Sequence, residues 1–219
     1  MVARGMAPSR RDLLDAVEGA LGPIAPRFAR ALLEVPRERF VRPADVARAN
    51  EDMPLPLDDS GQATISAAHA YVLSFDLVGL APGDSLLELG SGTGYGATLA
   101  AHVVGPEGRV VTIEIDPALA AHAAELTAPL PNVRALAGDA LASPDAWQGA
   151  TKIICTFAVA DLPADWLARL PEGGVLVAPV GPPDGAQFLV RATRRGGELA
   201  LTRHGGVRYV PNRSKVKAP

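Results

Sequence analysis

The sequence has one cysteine, Cys155, so no intramolecular disulfide framework can form, and a reducing compartment such as the cytoplasm fits. Cys155 lies inside an apolar run and reads as a small buried hydrophobe. Long apolar runs are missing too. Hydrophobic residues make up 48% of the chain, yet no run approaches a membrane span, and no membrane association is expected. Residues 1–9 carry a few basic side chains without an apolar core and are not expected to act as a secretory signal. Excess positive charge is absent. The formal net charge of −3 argues against a nucleic-acid partner held by electrostatics. The basic stretch 203–217 is therefore expected to be a solvated end. His102, His122 and His204 are scattered without metal-ligand spacing; they read as surface residues, and no metal is expected. Internal repeats and a second domain are also lacking. The 219 residues read as one unit with room for a sizeable core, expected to act as a monomer.

What is present has an order. Ser9-Arg10-Arg11-Asp12 resembles a capping box ahead of Leu13, Leu14, Val17 and Leu21, which recur at helical spacing until Gly22-Pro23. Residues 27–33 predict a shorter helix, 51–63 a loop rich in Pro, Asp and Gly, and 65–80 another helix. Strands are then predicted at 84–89, 109–114, 132–137, 152–157 and 175–180, with helices at 95–104, 117–126 and 163–170 between them. This alternation implies an α/β fold with a doubly wound, mainly parallel sheet. Residues 187–193 and 198–201 flank Arg195-Gly196-Gly197 as an antiparallel hairpin, and 207–210 read as an edge strand. Residues 9–80 thus form an N-terminal helical extension, 81–182 a ligand-binding core, and 183–219 the final strands and tail. Trp147 and Trp166 read as core or rim.

The most informative stretch is Leu86-Leu87-Glu88-Leu89-Gly90-Ser91-Gly92-Thr93-Gly94-Tyr95-Gly96. An apolar strand ends in an acid and breaks into alternate glycines, which let backbone approach a ligand closely. Forcing a dinucleotide fingerprint onto Gly92-Thr93-Gly94-Tyr95-Gly96-Ala97 starts three residues past the strand and leaves Glu88 and Gly90 unexplained. S-adenosylmethionine fits better. Glu88 can meet its ammonium directly or through water, with the backbone of Gly90, Ser91, Gly92 and Gly94 under the sulfonium and ribose. Glu114, followed by Ile115, can accept the ribose hydroxyls. Asp139, between Gly138 and Ala140, can bond the adenine amino group. Three acids at three successive strand ends face one crevice, the ligand site of an open α/β sheet.

Gln62-Ala63-Thr64-Ile65-Ser66-Ala67-Ala68-His69 closely resembles the Ala-Thr-Ile-Ser signature, with its following Ala-Pro-His, of protein-L-isoaspartate O-methyltransferases. Val35-Pro36-Arg37-Glu38-Arg39-Phe40-Val41 resembles that family's N-terminal segment, and Glu51-Asp52 with Pro54-Leu55-Pro56 its loop before the signature. Pro179-Val180-Gly181 and Val207-Arg208-Tyr209-Val210-Pro211 resemble its late sheet and C-terminal strand. The resemblance runs from about Ser9 to Pro211. It implies a Rossmann-like methyltransferase sheet with antiparallel C-terminal strands, and S-adenosylmethionine-dependent methylation of the free α-carboxylate of isoaspartyl residues in proteins or peptides. It implies Ser66 as the residue that orients the carboxylate, with Thr64 and Ile65 against cofactor and substrate. His69, Thr156, Phe157, Val210 and Pro211 are expected on the acceptor side. Taken alone, Ser66 also fits a helix N-cap, and His69 a packing residue.

The chain departs from the family in places. Thr156-Phe157-Ala158-Val159 replaces a run of small residues and proline, and Ala68 replaces a proline. The loop 57–61 is longer and more acidic, and Val210-Pro211-Asn212-Arg213 lacks a Leu-Thr ending. These changes are expected to cluster where the acceptor binds. They leave two acceptors open: isoaspartate in damaged proteins, or an ordinary aspartate in a constrained precursor peptide of a natural-product pathway, whose ester closes to an imide. A non-catalytic S-adenosylmethionine-binding protein and a nicotinamide oxidoreductase are the readings from other classes. Retention of Ser66 argues against the first, and the poor dinucleotide match against the second.

Overall fold

The computed structural model describes residues 7–214. Most of the stretch 1–9 weighed as a signal, and the final lysines of the basic end, Lys215 and Lys217, lie outside the described residues. The capping box forms: Ser9 accepts the Asp12 amide and Asp12 accepts the Ser9 amide. Helix α1 (Arg10–Leu21) then buries Leu13, Leu14 and Val17, and α2 (Pro26–Glu34) packs Phe28, Ala31 and Leu32 into the same core. Two 3-10 turns, Arg37–Arg39 and Pro43–Arg48, lead to a short antiparallel pair, β1 (Leu55–Pro56) and β2 (Thr64–Ile65).

The helix predicted from residue 65 starts later. Pairing of Thr64 and Ile65 with β1 keeps them extended, and α3 runs Ala68–Val78. Its N-cap is Ala67, which makes no side-chain cap bond, so Ser66 does not cap it. The hydroxyl of Ser66 is not committed to starting a helix.

Seven strands follow: β3 (Ser85–Leu89), β4 (Arg109–Glu114), β5 (Val133–Ala137), β6 (Lys152–Cys155), β7 (Val175–Val180), β8 (Gln187–Arg195) and β9 (Glu198–Val207). Their order is β5-β4-β3-β6-β7-β8-β9, parallel from β5 to β7 and antiparallel at β7–β8 and β8–β9. Helices α4 (Tyr95–Val104), α5 (Pro117–Thr127) and α6 (Ala164–Arg169) connect the strands. The chain steps from β3 outward to β5 and returns to β6 on the other side of β3. Strand order therefore reverses at β3, and the crevice at its C-terminal end is the expected ligand site. The edge strand expected at 207–210 is instead the end of β9 and an extended segment. That segment joins the sheet region by a bridge between Pro211 and Ala158. Two apolar cores flank the sheet. Trp147 and Trp166 meet in one of them with ring centres 6.1 Å apart and planes tilted by 44°, and Cys155 is buried there.

Candidate active site

Two adjoining recesses open at the C-terminal ends of the strands. The first leaves about 620 Å³ unfilled by protein. Its floor comes from the turn after β3 (Gly90, Gly92), the end of β4 (Glu114, Ile115) and the turn after β5 (Gly138, Asp139, Ala140). Thr64, Tyr71 and the returning segment 210–213 wall it. The glycine turn has left-handed backbone, with φ of 96° at Gly90 and 53° at Gly92. At Gly90 a side chain is excluded twice, because a Cβ would overlap the Thr156 hydroxyl.

Glu114 joins the turn to the neighbouring strand. Its Oε2 accepts the Gly92 amide at 2.8 Å and its Oε1 the Asp116 amide at 3.0 Å. Asp139 accepts the Leu141 amide at 2.9 Å. The two acids expected to hold ribose and adenine thus lie in one cleft.

Both also meet the chain's own end. Arg213 donates to Glu114 at 3.1 Å and lies 3.6 Å from Asp116, and the Ser214 hydroxyl donates to Asp139. The expectation of a solvated basic end fails here, because two acids at the strand ends attract the guanidinium across the crevice.

Several expected cofactor contacts are displaced. Glu88 is fully buried beneath the turn and does not line the cleft. The Ser91 hydroxyl donates to Thr112, and Thr112 donates to Glu88, each at 2.6 Å. Burial, with the charge of Glu114 adding to it, pushes the Glu88 pKa up to about 8. Glu88 and Ser91 therefore form an internal strut under the turn. Gly94 is the N-cap of α4 and packs against Ala123 and Thr127, and Ile65 points into the core. Thr156 and Phe157, expected beside Ser66 and His69, line the first cleft, whereas Ser66 and His69 line the second recess. The Thr156 hydroxyl donates to the Leu89 and Gly90 carbonyls, and the Phe157 ring meets Trp166 edge-on at 6.2 Å. The bulk of Phe157 is thus taken up against the second core.

The second recess brings together Ser66, His69, Leu73, Leu189 and Arg208. Thr64, Val210 and Pro211 line both recesses and form the wall between them. His69 Nδ1 bonds Asp52 Oδ2 at 2.8 Å, and Asp52 Oδ1 accepts the His69 amide at 3.0 Å. That side-chain bond holds the imidazole pKa above 6.5, against the opposing effect of burial. Tyr71 borders the first recess, and its phenol interacts with the Ser66 side chain. Sequence reasoning missed Tyr71, Asp52 and Arg213. Tyr71 sits within the helical periodicity of α3, and Asp52 is one acid of an acidic loop, so neither stood out.

The protein-L-isoaspartate(D-aspartate) O-methyltransferase family model matches residues 12–217. The chain belongs to this family. A protein-L-isoaspartate O-methyltransferase of Methanopyrus kandleri is 38% identical over 189 residues, 84% of this chain and 82% of that protein. A solved protein-L-isoaspartate O-methyltransferase superposes with a TM-score of 0.82 at 27% identity, over 92% of this chain and 65% of that one. A Plasmodium falciparum protein, crystallised in complex with S-adenosyl-L-homocysteine, shares the fold at a TM-score of 0.79 and 20% identity, over 94% of this chain and 99% of that one. Family membership thus agrees with a site in which a glycine turn, two strand-end acids and a signature serine lie around one crevice.

Proposed function

We propose that this protein is an S-adenosylmethionine-dependent carboxyl O-methyltransferase acting on L-isoaspartyl residues of damaged proteins or peptides. The observation that carries this is the shared wall. Ser66 lies in a groove that shares Thr64, Val210 and Pro211 with the acid-lined cleft. The first cleft suits S-adenosylmethionine: Glu114 and Asp139 offer carboxylates to ribose and adenine, and Ile113, Ile115 and Leu119 offer an apolar lining. When bound, that cofactor supplies an electrophilic methyl group on a sulfonium.

The residues here have little proton chemistry to perform. A peptide carboxylate has a pKa near ~4 and is already a nucleophile at neutral pH. The task is alignment and water exclusion. Ser66 donates its hydroxyl to one carboxylate oxygen and so aims the other. His69 offers its second ring nitrogen to the same group. The extended backbone at 208–211 pairs with the acceptor's backbone, which suits an enzyme that reads many sequences. Phe157 lies on the cofactor side, so its bulk stays out of the acceptor groove, where of the departures only the Val210-Pro211 segment contributes lining. This favours protein repair over a dedicated precursor peptide. We also propose a monomer working in the cytoplasm; no helix among the described residues is long and apolar enough to cross a membrane.

The test is methyl transfer to an isoaspartyl peptide and its aspartyl twin, side by side. Turnover on the isoaspartyl form alone is expected. Ser66→Ala should lower kcat by about 10- to 100-fold, the worth of one hydrogen bond to a charged group, with cofactor affinity held. Turnover on the aspartyl peptide alone sinks the repair reading.

A further inference from the structure

The segment Val35 to Val41 carries a family resemblance, yet nothing in the chemistry above uses it. Its central residue is unusual. Arg37 is fully buried, and no carboxylate among the described residues forms an ion pair with it. An arginine is costly to bury and is kept where its planar fork meets several acceptors at once. Here the acceptors are four backbone carbonyls. One guanidinium nitrogen donates to Ala49 and, at 3.1 Å, to Glu51. The other donates to Met53 at 2.9 Å and to Ser66 at 3.0 Å.

These four carbonyls come from two places that matter. Glu51 and Met53 flank Asp52, the partner of His69. Ser66 is the acceptor-side serine itself. Three residues on, the Phe40 carbonyl accepts the Thr93 hydroxyl at 2.7 Å, and Thr93 stands inside the glycine turn. The Phe40 ring packs on Tyr95, the first residue of α4, at 5.4 Å, and the Arg37 guanidinium lies 5.6 Å from the same ring. One short turn therefore grips the acceptor serine, the loop that sets His69, and the cofactor turn.

We propose that Arg37 is a positioning residue for methyl transfer, the anchor of a clamp that holds Ser66 and the Asp52–His69 pair in register with the glycine turn through Phe40 and Thr93. The inference rests on the proposed carboxyl methyl transfer and adds how its alignment is maintained. In-line transfer needs the reacting atoms within a fraction of an ångström, and about 1 Å of slippage costs on the order of 100-fold. Lysine keeps the charge but presents one point donor in place of a fork, so it cannot bridge two segments equally.

Arg37→Lys, Arg37→Met and Thr93→Val separate this role from simple stability. Binding of S-adenosylhomocysteine by calorimetry counts the folded sites and gives the cofactor-side Kd. Arg37→Lys is expected to raise the acceptor KM and lower kcat per folded site, roughly 10-fold in kcat/KM or more, with Kd within about threefold of wild type. Arg37→Met goes further in the same direction. Thr93→Val lowers kcat while KM and Kd hold. In the unliganded protein, Arg37→Lys speeds amide exchange at residues 49–53 and 63–70 while the central strands keep wild-type protection. Wild-type exchange at those segments in Arg37→Lys overturns the clamp. So does a variant that only melts earlier, with wild-type kcat and KM per folded site. A wild-type protein inactive on isoaspartyl peptide defeats the acceptor reading, and the exchange data still decide the clamp.

Discussion

His69 gives one ring nitrogen to Asp52 and leaves the other for the groove it shares with Ser66 and Arg208. The bond to Asp52 raises its pKa above 6.5, outweighing burial. Two consequences follow with defined signs. The stabilisation from the pair is fully present below the unfolded value of 6.5 and fades as pH rises through the higher folded value. The groove likewise holds an imidazolium, able to pair with an anionic acceptor, up to a pH above 6.5. The kcat/KM for a carboxylate acceptor should therefore fall along a limb centred above pH 6.5. Asp52→Asn replaces the charged acceptor with a neutral amide and should move that limb to lower pH. A pH–rate profile with an NMR titration of the His69 ring checks both, and a wild-type midpoint below 6.5 contradicts the argument. At this scale a local motif was enough to place a residue at one of the two recesses, as for Ser66, Glu114 and Asp139. It was not readable where the partner lies elsewhere in the chain. Nothing around Asp52 announces His69, and nothing around Glu88 announces that Thr112 would enclose it.

Helix α4 shows what an element contributes beyond its residues. It starts at the glycine turn and lies directly on the strut formed by Glu88. At Gly96, a Cβ would overlap Glu88 Oε1 and stand 2.5 Å from the Tyr71 ring. The helix can lie against Glu88 and the Tyr71 ring only because this position carries no side chain. Gly96→Ala has ordinary helical backbone and gains helix propensity, yet it overpacks a fully enclosed contact. The net expectation is a loss of about 1–3 kcal/mol, since overpacking outweighs a propensity gain of under about 1 kcal/mol. For a chain of this size that is roughly 2–4 °C in Tm per kcal/mol. Thermal and urea unfolding measure it, and an unchanged or higher Tm would show that the Glu88 strut yields freely. Helical spacing located α3 but misplaced its start, because periodicity cannot tell that Thr64 and Ile65 pair with Leu55 and Pro56. That choice depends on a partner nearly ten residues upstream, across an irregular loop.

Across the whole molecule, the alternation of strands and helices was enough to infer the parallel sheet and the crevice at its reversal point. The path of the chain's end was not inferable, since its basic residues carry no local signal for their destination. After β9 the chain turns back, hydrogen-bonds Ala158 on both sides through Val210 and Asn212, and lays Arg213 against Glu114 and Asp116. Glu114 Oε1 then accepts from both the Asp116 amide and Arg213. On the proposed reading both ribose hydroxyls bond this carboxylate, which already takes three donors from Gly92, Asp116 and Arg213, so the guanidinium and one hydroxyl compete for an acceptor position. Partly exposed ion pairs of this kind are worth about 0–1 kcal/mol. Arg213→Ala should therefore tighten S-adenosylhomocysteine by up to about fivefold. Glu114→Ala, which removes the acceptor itself, should weaken it. Because salt screens the ion pair and not the neutral ribose contact, the gain in Arg213→Ala should shrink as ionic strength rises. Calorimetric titrations at low and high salt test both halves. Weaker binding by Arg213→Ala at low salt would mean that the guanidinium supports the cofactor and does not stand in its place.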